Sequence, residues 1–221
     1  MQKTTNAHLF LLLLFLLLPS INYGHTINYI LEGAPTNNVI EYYLKLGYEH
    51  ILPLGLDHIL FVVGLCMLNA NIKTLFWQAS AFTIAHTITL ILSMKNIITA
   101  PPAIVEPIIA LSIVFIAVEN IVFNKLNPLR IVIIFLFGLI HGLGFASALN
   151  ELGLPRDAFY TSLLSFNIGV ELGQFTIILL VYWLLIKWFQ HKEYYRKFIT
   201  IPISLGISAI ALYWAVERIF Y

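Results

Sequence analysis

Long apolar runs separated by short polar breaks make up the chain after residue 48. Each run is close to the ~20 residues that a helix needs to cross about 30 Å of hydrocarbon. The breaks carry lysine, arginine, asparagine, glycine and proline, which are typical of loops and turns. This pattern predicts an all-α membrane protein with a six-transmembrane-helix bundle, whose spans are 49–69, 74–94, 102–123, 130–150, 158–188 and 198–220.

The N-terminus has the pattern of a secretory signal peptide. Lys3 precedes an apolar stretch from Leu9 to Leu18, and small or polar residues follow it. That stretch is too short to cross a bilayer as a helix. We therefore predict an N-terminal signal peptide over residues 1–24, with an uncleaved anchor as the alternative.

A more polar segment, residues 25–48, leads to the first span. Asn37 or Asn38 can cap a short helix that ends near Tyr48. Its apolar residues are spaced to lie on a membrane interface, and they are Ile40, Tyr43, Leu44 and Leu46. The sequence thus predicts a periplasmic lead-in with a short amphipathic helix, followed by a transmembrane domain over residues 49–221.

Composition and charge reduce the number of possible functions. The chain is 60% hydrophobic and 10% charged, whereas soluble domains are about 25% charged. A net charge of +1 and the lack of a basic stripe exclude nucleic acid as a partner. The loops are too short to form a soluble catalytic domain. We expect the protein to act within the lipid bilayer, and the sequence identifies no protein partner.

Lysine and arginine in the short loops indicate the orientation. If the mature N-terminus lies outside, seven of these residues fall in inner segments and four fall in outer ones. This distribution predicts the bacterial inner membrane as the location, with the mature N-terminus and the C-terminus in the periplasm.

Several polar residues fall within the predicted spans, at similar depth in the outer half of the bundle. A charged side chain at the bilayer centre costs roughly 2–4 kcal/mol or more, so these residues require partners, water or a bound ion. We predict one shared site formed by His58, His86, His141, Asp57, Glu171 and His50. Asn167 and Glu106 would orient its ligands.

Each of the less central residues also has a structural interpretation. His50 fits an interfacial position, and Asn167 fits a hydrogen bond between helices. Glu106 follows two prolines at a helix start, where a carboxylate complements the helix dipole. Glu119 and Asn120 lie toward the inner end, and there we favour structural pairing.

Imidazole and carboxylate ligands together suit zinc, nickel, copper or iron. Asp57 and His58 are adjacent, about 100° apart on a helix, so we expect one to bind an ion and the other to orient a ligand. GLDH at 55–58 and GLIH at 138–141 raise the hypothesis of two inverted three-helix repeats.

The motifs HILPLGLDHILF, FTIAHTITL, VEPIIALSI and FGLIHGLGFA resemble the HupE/UreJ family, and most closely its second branch. The resemblance covers residues 48–220. It implies a small membrane protein associated with nickel or cobalt uptake, and it assigns site roles to Asp57, His58 and His141. His50 departs by one residue from the spacing of the nickel-permease branch, and no glutamate follows His141 closely.

Three functions are compatible with these residues. The first is a permease for a divalent transition metal, in which nickel or cobalt is the cargo. The second is an intramembrane zinc hydrolase, with Asp57, Glu106 or Glu171 as the general base for a metal-bound water. The third is a metal-binding accessory subunit without turnover.

Overall fold

The computed structural model describes residue 28 and residues 30–68 and 70–220, in which the chain forms helices and no strands. The predicted signal peptide lies outside these described residues. The helices are α1 (Thr36–Ile51), α2 (Leu56–Leu68), α3 (Ile72–Met94), α4 (Pro102–Val122), α5 (Arg130–Leu152), α6 (Phe159–Phe189) and α7 (Arg196–Phe220).

Five of these helices, α3 to α7, are long and apolar enough to cross a membrane. Helices α1 and α2 together pass the same test as a single broken span, with a bend of 67° between them. The prediction of an all-α membrane protein is confirmed, with up to six spans in the described part of the chain.

The first span differs from the prediction, which had one continuous helix over 49–69. Helix α1 ends at Ile51 and α2 begins at Leu56. Pro53 lacks an N–H and disfavours a helical conformation in the residue before it. A Cβ on Gly55 would collide with the carbonyl oxygen of His50, so the turn requires glycine there. These two residues place the break inside an apolar run.

Helix α1 also differs in its surroundings from the predicted interfacial helix. It packs lengthwise on α6, and Val39, Tyr43 and Ile51 are fully buried. Glycine makes this close approach possible, because a Cβ on Gly47 would meet the backbone of Phe166. The segment before the first predicted span is therefore part of the helical bundle.

The long helices pack in a reciprocal pattern. Helix α1 runs parallel to α6, since Gly47 lies against Phe166 and Ile51 lies against Gly173. Helix α5 runs parallel to α3 in the same way, because Gly138 lies against Phe82 and Gly142 lies against His86. Thus the first span (α1 and α2) packs on the fifth (α6), and the fourth span (α5) packs on the second (α3). Two inverted three-helix halves would give this arrangement.

One end of the bundle is open. The α1–α2 break, the start of α4, the end of α5 and the end of α7 surround a cleft there. We call this the cleft end. Since α2 starts there, it runs away from this end, while α3 and α5 run toward it.

The other end of the bundle contains a separate set of buried polar contacts. The Arg130 Nε lies 3.3 Å from a carboxylate oxygen of Glu119, and both side chains are buried. Asn120 donates to the backbone oxygen of Gly64 at 2.8 Å and to the Ser204 hydroxyl at 3.3 Å. Glu119 and Asn120 thus connect helices, which agrees with their structural interpretation.

Candidate metal site

Three histidines from three helices meet near the cleft end of the bundle. His50 lies at the end of α1, His58 at the start of α2 and His86 in the second half of α3. One ring nitrogen of each lies within 4.8 Å of those of the other two. His50 and His58 approach because the chain turns between them, with ring centroids 4.8 Å apart. The predicted continuous helix over 49–69 contains no such turn, so the contact between these two histidines follows from the break.

A fourth histidine, His141 of α5, lies next to His58 and outside the three-histidine group. Its ring centroid lies 5.2 Å from that of His58, and only 1% of the residue is exposed. The His141 Nδ1 is 2.9 Å from the backbone oxygen of Phe137. A carbonyl oxygen can only accept, so Nδ1 carries the proton and Nε2 carries the free lone pair.

Asn167 of α6 selects the same tautomer for His86. The Asn167 side-chain nitrogen donates to the backbone oxygen of Leu163 at 2.8 Å, which orients the amide. Its Oδ1 therefore faces His86 Nδ1 at 3.4 Å, as an acceptor. The proton lies on Nδ1 of His86, and Nε2 keeps its lone pair for another partner.

The Nε2 atoms of His50, His58, His86 and His141 are all buried, and none has a hydrogen-bond partner in the described structure. Burying a polar atom without a hydrogen-bond partner destabilises a folded protein by about 1–3 kcal/mol. The three-histidine group, with His141 beside His58, fits a cation with nitrogen ligands, because imidazole Nε2 is a common ligand for zinc, nickel and copper.

A cleft of about 690 Å³ leads from the cleft end to this cluster. Its lining includes His50, His58 and His141 together with Asp57, Glu106 and Arg218. The remaining lining is mainly apolar and includes Phe145, whose ring centroid lies 3.8 Å from that of His50. Three of the four histidines therefore border a cleft that opens at one end of the bundle, with their Nε2 atoms buried beneath its surface.

Phenylalanines close the cluster on its far side. Phe61, Phe82 and Phe137 each lie one helical turn from a histidine, in the direction away from the cleft end. Phe82 and Phe61 place their ring centroids 4.8 Å and 5.6 Å from that of His141. The histidine cluster thus opens to one end of the bundle and is sealed by aromatic rings toward the other.

Asp57 is not part of the three-histidine group, although the sequence analysis expected it among the ligands. Both of its carboxylate oxygens accept from Nη2 of Arg218, at 3.0 Å and 3.2 Å. Asp57 and His58 are adjacent on α2, so their side chains diverge: His58 points into the cluster and Asp57 points toward the end of α7.

Glu171 also lies apart from the three-histidine group. Its carboxylate accepts a short hydrogen bond from the Ser80 hydroxyl, across the contact between α3 and α6. Thr83 and Gln174 form a second polar pair at 3.1 Å on the same contact, and both are buried. Glu106 is exposed at the cleft, where its backbone oxygen accepts from Arg218 at 3.2 Å.

Sequence reasoning missed Arg218, the residue that pairs with Asp57. Arg218 lies near the C-terminal end of the last apolar run, and the predicted site does not include it. The signal that identifies it is charge balance: an aspartate within a span requires a cationic partner or an ion.

The sequence model described as HupE / UreJ protein matches residues 25–218. No curated protein and no solved structure matches the chain. The family is a membrane-protein family linked to nickel and cobalt uptake. Because the match covers most of the chain, including the histidine cluster and the cleft, the protein belongs to the HupE/UreJ family.

Proposed function

We propose that the protein is a permease for a divalent transition metal of the nickel or cobalt type, with the cleft end facing the periplasm. His50, His58, His86 and His141 bind the cargo ion through their Nε2 atoms. One observation carries the proposal: three histidines whose ring nitrogens lie within 4.8 Å of one another, with His141 beside His58, have buried Nε2 atoms without partners beneath a cleft that reaches one end of the bundle.

The ligand chemistry supports this cargo. Neutral imidazoles bind borderline transition metals and have little affinity for sodium, potassium or magnesium. Two of the histidines have their tautomers set by Phe137 and Asn167, so little rearrangement is needed before an ion binds. A cluster of this kind discriminates against the abundant alkali cations.

The aromatic rings on the side of the cluster away from the cleft end fit a transporter that changes conformation to release its ion. Phe61 and Phe82 would block an ion in the present arrangement, and hydrophobic constrictions of this kind serve as gates in channels and transporters. Beyond His86, the polar pairs between α3 and α6 supply oxygen atoms in an otherwise apolar interior. An ion released past the aromatic rings has these atoms as its next partners.

A zinc hydrolase is the alternative, and the size of the cleft favours it. A volume of about 690 Å³ falls within the range of sites for small organic ligands and exceeds what a single ion needs. Of the three candidate bases, Asp57 pairs with Arg218 and Glu171 pairs with Ser80. Glu106 is then the remaining candidate base at the cleft.

Metal analysis of purified protein tests the site. We expect about one transition-metal ion per chain after dialysis against nickel, cobalt or zinc. His58→Ala and His141→Ala should lose this ion, since each removes one of the proposed nitrogen ligands. His191→Ala is the matched control, because His191 is exposed and lies outside the long helices. A wild-type protein that binds none of the three metals would contradict the proposal.

Vesicle uptake separates the two functions. Purified protein in liposomes should admit nickel or cobalt more rapidly than empty liposomes do, and His58→Ala should abolish the difference. A zinc-loaded protein without metal flux would instead support the hydrolase.

A further inference from the structure

We propose that Arg218 is a built-in counter-ion that an entering divalent cation must displace from Asp57, and that this exchange excludes monovalent cations. The inference rests on the permease function proposed above and adds a step in front of the histidine cluster. Asp57 is then the first carboxylate that the cargo meets, and Arg218 determines which cations reach it.

The Asp57–Arg218 pair lies on the path from the cleft end to the histidines. Asp57 and Arg218 line the same cleft as His50, His58 and His141, so a cation that enters from the cleft end passes them. The side chains are 25% and 23% exposed, which leaves the pair accessible from the cleft. The Asp57 carboxylate and the proposed nitrogen ligand His58 diverge on α2 but border the same cleft.

Arg218 contacts other groups besides Asp57. A single nitrogen of Arg218, Nη2, contacts both carboxylate oxygens of Asp57. The other terminal nitrogen, Nη1, donates to the backbone oxygen of Glu106, and the guanidinium carbon lies 5.7 Å from the ring centroid of Trp214. Arg218 therefore keeps partners on α4 and α7 when Asp57 is released, and its charge does not become isolated.

The charge of the entering cation determines whether it can replace Arg218 at Asp57. A monovalent cation at Asp57 would replace one positive charge with another and gain no charge compensation. A divalent cation brings a second charge, and the carboxylate of Glu106 lies at the same cleft to balance it. Coulomb attraction grows with the product of the charges, so only a multivalent ion gains net attraction from the exchange.

Cation binding to the purified full-length chain tests the exchange. Titration calorimetry with nickel, cobalt and zinc chlorides should show that Arg218→Gln lowers the dissociation constant about tenfold, because the competitor for Asp57 is gone. Raising sodium should weaken metal binding to this variant more than choline does at equal ionic strength, because both salts screen the charges but only sodium competes for Asp57. Wild type should respond equally to both salts.

Three further variants separate this exchange from a structural role. Asp57→Asn combined with Arg218→Gln should remove the gain in affinity, because the carboxylate itself is lost. Arg196→Gln is the matched control: Arg196 lies at the opposite end of α7 and binds backbone oxygens at the end of α4. It should leave metal affinity and sodium response unchanged. If Arg218→Gln does not fold, Arg218→Lys decides, because a lysine keeps the charge without the planar fork and should give a smaller gain of the same sign.

The outcomes distinguish this inference from the permease proposal. If wild type binds metal and Arg218→Gln binds it with equal or lower affinity, the counter-ion exchange is overturned and the permease proposal is not. No binding by either protein would overturn both. Tighter, sodium-sensitive binding by Arg218→Gln that disappears with Asp57→Asn supports the exchange.

Discussion

His86 illustrates how one buried residue depends on a neighbour that need not touch an ion. Asn167 holds the proton on Nδ1 of His86, and Leu163 orients the amide that does so. Without Asn167, the His86 ring could turn or change tautomer, and its Nε2 would face the cluster for only part of the time. Residues that orient a ligand in this way typically change metal affinity by about 10- to 100-fold.

We therefore expect Asn167→Ala to weaken metal binding by about 10- to 100-fold while the fold persists. Asn120→Ala is the matched control, because Asn120 is also a buried asparagine but binds Gly64 and Ser204 at the other end of the bundle. It should lower the temperature of unfolding and leave the metal dissociation constant near the wild-type value. Calorimetric titration and thermal unfolding of both variants check this, and equal loss of affinity in the two would contradict the assigned role of Asn167.

At the scale of helices, packing contacts determine which side chains come together in the site. Helices α3 and α5 bring His86 and His141 together, and this contact depends on glycines that admit a neighbouring backbone. A Cβ on Gly138 would lie 2.9 Å from the Cβ of Ala85 and would also meet the backbone of Phe82. Close packing through small residues is a common way for membrane helices to associate.

Gly138→Ala should separate α3 from α5 and reduce stability by about 1–3 kcal/mol, the usual effect of overpacking a tight contact. Gly206→Ala is the control, because nothing lies within 4 Å of a Cβ at that position in α7. It should be neutral or slightly stabilising, since alanine favours a helix over glycine. Thermal unfolding in detergent measures both effects. Similar unfolding temperatures for the two variants would show that the α3–α5 contact is not limiting.

At the scale of the whole molecule, the two ends of the helical bundle carry different polar groups. The cleft and the Asp57–Arg218 pair lie at one end, and the Glu119–Arg130 pair lies at the other. The reciprocal packing of the first and fifth spans and of the second and fourth places His58 and His141 side by side. These are the histidines of the GLDH and GLIH motifs, so their contact is where two inverted halves would meet.

Orientation in the membrane is a prediction at this scale. With the cleft end in the periplasm, a reporter enzyme fused after Tyr221 should be active there, because α7 ends beside the cleft. A phosphatase that requires export and a fluorescent protein that folds only in the cytoplasm give opposite signals. Cytoplasmic fluorescence without phosphatase activity would reverse the proposed direction of uptake. A fusion in the loop between α6 and α7 should give the opposite pattern and serves as the control.

The sequence by itself determined the class of this protein and the residue types in its interior. Apolar runs of near-bilayer length dictate helices, because backbone groups in hydrocarbon must be paired within the chain. The same argument marked His58, His86 and His141 as residues that need partners in the bilayer. Both inferences follow from local composition and length, which do not depend on how the helices pack.

Only the tertiary structure decided which polar residues share a site. The break at Pro53 and Gly55 turned His50 toward His58, and the end of α7 brought Arg218 to Asp57 from 161 residues away. Helical depth places residues in a layer, but it does not determine the rotation of each helix about its axis. Rotation is set by packing contacts such as those of Gly47 and Gly138. For that reason, Asp57 faces Arg218 and Glu171 faces Ser80, while His50, His58 and His86 face one another and His141 faces His58.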